Sequence, residues 1–174
     1  MSLPPQKFRE LVFQLLYSYD LGKSDEKSML PLLMKELSVT KKIVKDAATR
    51  IKIITSYLPD IDKIISKTSQ SYTFERIQSV ERNILRIGTY ELLYDEDIPP
   101  KVAIAESVRL ARKFGSPESA TFVNAVLDSI YKSGQGLIIE NSNIAASFEQ
   151  LIRSEEIAKE ASLTKKIVPE EDDQ

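Results

Sequence analysis

The chain has 174 residues, 24 basic against 26 acidic side chains, and no cysteine, histidine or tryptophan. That length holds one domain with a core, or a domain plus an extension, and hardly two. The missing residues exclude a disulfide framework, thiolate or imidazole metal sites, and catalysis by cysteine or histidine. Scarce glycine and an excess of Leu, Ile, Lys, Glu and Ala point to an all-α fold. No apolar run nears the roughly 18 residues of a membrane span, and MSLPPQKF lacks a signal pattern, so a soluble, cytoplasmic protein is expected. Charge is uneven, since Leu137 to Gln174 carries nine acidic and four basic residues, leaving +3 on residues 1–136.

Pro4 and Pro5 precede a first helix whose apolar stripe is Phe8, Leu11, Val12, Leu15, Leu16 and Tyr19, with Gly22 at its end. Phe13 and Tyr17 fall on the opposite side, either packing on a second layer of the same domain or facing a partner. Ser28 is the expected cap of a short helix through Leu37, with Pro31 in its first turn. Thr40 opens the next helix, striped by Ile43, Val44, Ala47, Ile51, Ile54 and Leu58. Pro59 either kinks it or starts a new segment through Ile61, Ile64 and Ile65.

Lys67 to Ser71 reads as a loop, and Thr73 as the cap of the longest helix, Phe74 to about Tyr94. Its buried side is Phe74, Ile77, Val80, Ile84, Ile87, Gly88 and Leu92. Glycine costs about 1 kcal/mol in a helix interior, so Gly88 predicts a close helix crossing. Glu91 projects into the middle of the apolar side and needs a partner. An ion pair or helix-end hydrogen bond is favoured over a general acid or base, because no second acid-base group is in view. Asp95, Glu96 and Asp97 form a solvated turn, and Pro100 begins a helix packing through Ala103, Ile104, Ser107, Val108, Ala111 and Phe114. Gly115 is the expected left-handed end of that helix. Ser116, Pro117 and Glu118 supply the cap, first-position proline and first-turn acid of the next, which buries Ala120, Val123, Val126, Leu127 and Ile130 and frays from Ser133 to Gly136. Phe114 and Phe122 project onto stripe edges. Beyond Gly136, residues Ile144, Phe148, Leu151, Ile152 and Ala158 make one more amphipathic helix, and Val168 to Asp173 an acidic, disordered tail. We therefore divide the chain into a body, 1–136, and an extension, 137–174.

No phosphate loop, metal spacing or catalytic triad is present, so neither cofactor nor metal is expected. What remains is a surface at the Phe114 to Phe122 turn, flanked by Arg109, Arg112 and Lys113. Cations for phosphates, aromatic edges for stacking and capping hydroxyls together suit single-stranded RNA.

The stretch VERNILRIGTYELLYDEDIPPKVAIAESVRLARKFGSPESATFVNAVLDSIY, Val80 to Tyr131, resembles the carboxyl-terminal half of the NusB family of bacterial transcription antitermination factors. It carries that family's LRI-x-x-YEL helix, IP-x-KVAI-x-E joint and FG-x-x-x-S-x-x-FVN-x-VLD end. Arg9 to Tyr17 is similar to the family's opening AR-x-x-A-x-Q-x-LY. The resemblance implies two three-helix subdomains and a function without catalysis: pairing with NusE, binding boxA-type RNA of ribosomal RNA leader transcripts, and joining the RNA polymerase antitermination complex. Carried over by position, the RNA side is Lys7, Arg9, Phe114, Ser116, Glu118, Ser119, Thr121, Phe122 and Asn124, to which Arg112 and Lys113 add from the charge pattern. The NusE side draws on Tyr17, Glu75, Arg76 and Glu81. Three departures stand out: only Lys7 and Arg9 replace an arginine-rich opening, Pro117 and Ala120 stand where the family is often polar, and the extension runs past the usual end. A module that keeps the NusE face and loses RNA binding is the alternative. A fused RNA methyltransferase is disfavoured by length and by the lack of cysteine. The acidic extension is expected to lie over the body as an internal decoy for RNA.

Overall fold

The computed structural model describes residues 3–22, 26–68, 72–136 and 142–167, with side chains over 3–22, 31–68, 72–136 and 143–165. These residues form α1 (Pro5–Asp20), α2 (Glu26–Leu37), α3 (Lys41–Lys67), a 3₁₀ turn (Phe74–Arg76), α4 (Ser79–Leu93), α5 (Pro100–Phe114), α6 (Pro117–Gly134) and α7 (Ser142–Ile167), and no strand. The fold is all-α, as the 3.6-residue periodicity predicts.

Helix α4 is the hub. From Glu81 to Glu91 every residue except Arg82 is buried, because α4 receives α1 and α3 from the first half of the chain and α5 and α6 from the second. Gly88 permits this. A Cβ there would lie 2.5 Å from Ser107 Oγ on α5 and 2.7 Å from Leu127 Cδ1 on α6, so the predicted close crossing is present.

A helix enclosed on all sides is costly unless its charged residues find partners. Asp20 of α1 accepts from Arg82 (2.7 Å), Arg86 (2.9 Å) and Asn83 (3.0 Å). Arg86 also forks onto Asp62 of α3 through two bonds of 2.8 Å. Glu91 takes a 2.8 Å bond from Arg9 of α1, the ion pair expected from its inward projection. Burial pushes its carboxyl above the ordinary range, and Arg9 opposes the shift.

Several local expectations are corrected. Helix α2 starts at Glu26, so Ser28 lies inside it and Pro31 beyond the first turn. Helix α3 is continuous over 27 residues with Pro59 inside; Pro59 and Asp60 are exposed, where water can satisfy a carbonyl that has lost its N–H. The longest helix is therefore α3, capped as expected by Thr40, whose hydroxyl accepts from the Ile43 N–H. Thr73 opens only the 3₁₀ turn. Ile77 and Gln78 are extended, and α4 begins at Ser79. The helical spacing of Ile77, Val80 and Ile84 hides that break, since Ile77 reaches the core from extended backbone. Gly115 is not left-handed (φ −117°, ψ −128°). Space requires it, because a Cβ would stand 2.6 Å from Ser119 Oγ and 2.9 Å from the Ala111 carbonyl. Tyr19 is 51% exposed rather than part of the stripe, and Asp95 is held by Arg50 at 2.5 Å rather than solvated.

The amino-terminal part of α7 is built into the molecule. Ile144, Phe148 and Leu151 of α7 join the same apolar core as α1, α3, α4 and α6, while Ala158 and its surroundings are exposed. The expected loop residues Ser69, Gln70 and Ser71 and the acidic tail Val168 to Asp173 lie outside the described residues. Among the described residues no helix is long and apolar enough to cross a membrane.

Candidate nucleic-acid and protein interface

The α5–α6 turn is rigid for local reasons. Pro117 occupies the first position of α6, and Ser116 and Ser119 form a reciprocal capping box: each hydroxyl accepts from the other's backbone N–H at 3.1 Å. The Ser119 hydroxyl then donates to Glu81 Oε1 on α4 at 2.5 Å. This pins the turn to the hub but spends Ser119, which is buried, and leaves Glu81 only 3% exposed. Both were expected to meet ligands; both instead support the turn from within.

Phe122 is the larger correction. It is 0% exposed, covered by Tyr72 at 5.6 Å between ring centres and by Phe148 of α7 at 5.4 Å. Tyr72 and Phe148 stack on each other at 4.0 Å. Its stripe-edge position is real, but α7 closes that edge, so Phe122 is core here and offers no face to a base. Phe114 is half-buried against Phe13 at 4.7 Å, with the Lys113 ammonium 5.6 Å from its ring centre. Phe13 is thus packing on a second layer, while Tyr17 stays half-buried beside it at 5.8 Å.

The expected cations are largely occupied. Arg9 binds Glu91 and lies 3.7 Å from Glu106. Glu10 collects Arg109 and Lys113, each at 2.7 Å, and Lys7 at 3.1 Å. Burial alone would raise the Glu10 carboxyl, but hydrogen bonds from Lys113, Arg109 and Lys7 outweigh it and hold the group at about 2. Exposed Arg112 forms no ion pair among the described residues. Thr121 and Asn124 are exposed, and Ser116 and Glu118 half-buried. The accessible part of the predicted RNA side is therefore Arg112, Lys113, Thr121 and Asn124, with half-buried Phe114, Ser116 and Glu118 beside them and Lys7 nearby through Glu10.

On the expected partner side, Glu75 and Arg76 are exposed on the 3₁₀ turn, and Arg76 lies 5.5 Å from the centre of the Phe148 ring. Next to them Gln78 donates to Glu155 of α7 at 2.5 Å. Burial, then the nearby Glu81 charge, pushes the Glu155 carboxyl up to about 7. Gln78 and Glu155 were missed by the sequence reading. A signal existed, because Glu155 continues the spacing of Ile144, Phe148 and Leu151 and so faces the body.

Against known proteins, the NusB family's sequence profile matches residues 6–132. The chain belongs to the NusB family. Transcription antitermination protein NusB of Chlamydia pneumoniae is 36% identical over 130 residues, covering 75% of this chain and 81% of that protein. The NusB protein of Nitratiruptor sp. is 40% identical over 124 residues, covering 71% and 88%. Among solved structures, T. maritima NusB superposes with a TM-score of 0.65 at 35% identity, covering 76% of this chain and 93% of that one. A crystal structure of antitermination factors NusB and NusE in complex with double-stranded RNA matches with a TM-score of 0.62 at 28% identity, covering 74% and 96%. The NusB match ends near Lys132, so α7 lies beyond it.

Proposed function

We propose that this chain is a non-enzymatic transcription antitermination factor that pairs with NusE, binds boxA-type RNA of ribosomal RNA leaders and joins the RNA polymerase antitermination complex. The observation that carries the reading is family membership together with a solved relative that holds NusE and RNA. The exposed group of Arg112, Lys113, Thr121 and Asn124 beside a rigid helix start supports an RNA surface there, since phosphates favour cations and helix amino termini. Glu75, Arg76 and half-buried Tyr17 remain the residues offered to NusE.

One observation favours the alternative of an interaction module with weak RNA binding: Lys7, Arg9 and Lys113 are already held by Glu10 and Glu91. Anisotropy titration of boxA-like RNA with the chain plus its NusE, against scrambled RNA at matched salt, separates the two. A preference for boxA RNA supports the antitermination reading. Tight NusE binding with no preference between the RNAs selects the module.

A further inference from the structure

Helices α6 and α7 meet at Phe122 and Phe148, whose ring centres are 5.4 Å apart, but beside that seam small residues leave the space between them unfilled. Ala125 and Ser129 of α6 and Ala146 and Ser147 of α7 line a groove of about 730 Å³, rimmed by Thr121, Asn124, Asp128, Lys132, Asn143 and Gln150. This falls within the roughly 300–1,000 Å³ typical of ligand pockets.

The lining selects its ligand. Asp128 and Lys132 neutralise each other at 2.7 Å, so the groove presents no free cation to a phosphate. It does present three carboxamides, those of Asn124, Asn143 and Gln150, none of which is engaged by another side chain among the described residues. Each amide carries both donors and an acceptor, the complement of a nucleobase edge. In the wall, Ser129 is 3% exposed and its hydroxyl has no hydrogen-bond partner. A buried, unpaired hydroxyl is unfavourable unless a bound group completes it. The groove also begins at Thr121 and Asn124, where the exposed surface assigned above to RNA ends.

We propose that the α6–α7 groove receives an unpaired nucleobase of the bound RNA, recognised by the amides of Asn124, Asn143 and Gln150 and the hydroxyl of Ser129. The inference rests on the RNA-binding reading above and extends it onto a helix beyond the family match. The RNA path then crosses α6 and ends on α7, which makes the extension part of the recognition surface.

The test uses the full chain with NusE, a fluorescent boxA-like single strand, its fully paired duplex, and the variants Ser129→Ala and Asn143→Ala/Gln150→Ala. Asn143 and Gln150 are exposed, so the double variant keeps the fold even if the serine variant does not. Each variant is expected to weaken single-strand binding by about tenfold, the loss of one or two hydrogen bonds, with NusE affinity unchanged. Single strands carrying 4-thiouridine should crosslink to residues 143–150. If the parent chain does not distinguish boxA from scrambled RNA, the RNA reading fails and takes this inference with it. If the parent discriminates but the variants bind equally well, or if the duplex binds as tightly as the single strand, this inference alone is overturned. Loss of NusE affinity with RNA affinity intact would assign the groove to protein and also overturn it.

Discussion

Gly88 sits where three helices meet, and two effects of a methyl group there oppose each other. Alanine would gain about 1 kcal/mol of helix propensity, but its Cβ falls 2.7 Å from Leu127 Cδ1, in a residue with no exposed surface. Overpacking wins, and Gly88→Ala should cost about 1–2 kcal/mol net, seen as a lower urea midpoint at unchanged m value. A neutral or stabilised variant would show that Leu127 has room to turn aside. Glu155 offers a test with pH. Its folded carboxyl is raised to about 7 from an ordinary 4.5, so the fold binds a proton there that the unfolded chain gives up. The resulting stability is fully present below 4.5 and is lost as pH rises through about 7. Glu155→Gln removes the titration and keeps an acceptor for Gln78. Its stability should therefore fall less than the parent's between those two pH values, measured by thermal or urea melts; parallel curves would remove Glu155 as the cause. Glu10 runs the other way, its contribution present above 4.5 and lost as pH falls through about 2.

Helix α7 marks the limit of what periodicity shows. Gly88 and Glu91 were legible because one helix's own projection places them inside, and Ser116-Pro117-Glu118 was legible because capping chemistry is local. Phe122 was not, since a projection gives the direction of a side chain but not what lies beyond it, and here that is Phe148 and Tyr72. The break at Ile77 and Gln78 was hidden because extended residues happened to continue a helical apolar spacing. The exposed site residues Thr121 and Asn124 were named by resemblance, whereas the groove beside them depends on a second helix that the family pattern does not include. Phe148 is 5% exposed and touches both aromatic neighbours, so Phe148→Ala should cost about 3 kcal/mol, measured by urea denaturation. A loss below about 0.5 kcal/mol, the range of an ordinary surface substitution, would mean that α7 is held by other contacts. For the same reason, removing residues 137–174 would do more than strip acidic charge, because it would uncover Phe122 and Tyr72 and confuse any test of an RNA decoy.

Across the whole molecule, cations that the composition offers to nucleic acid are spent on holding helices together. Because Lys7, Arg9, Arg109 and Lys113 face Glu10, Glu91 and Glu106, the α5–α6 turn keeps few uncompensated cations from which RNA would release counterions. The slope of log K against log salt should correspond to roughly one to three phosphates. Glu10→Gln frees Lys7 and Lys113 and should steepen that slope by roughly one or two, checked by anisotropy at several salt concentrations; an unchanged slope would show that these lysines do not meet phosphate. The all-α class was legible from composition and periodicity and the helical architecture from the family resemblance, but the partners of the ion pairs that join α1 to α4 and α5 were not, since they lie 82 to 103 positions apart. The Asp20–Arg86–Asp62 fork carries a consequence for synthesis on the ribosome. Two carboxylates, one from α1 and one from α3, converge on a single guanidinium that is translated after both. Until α4 leaves the exit tunnel, Asp20 and Asp62 lack the cation that joins them, so this link between α1 and α3 can close only after the middle of the chain has been made.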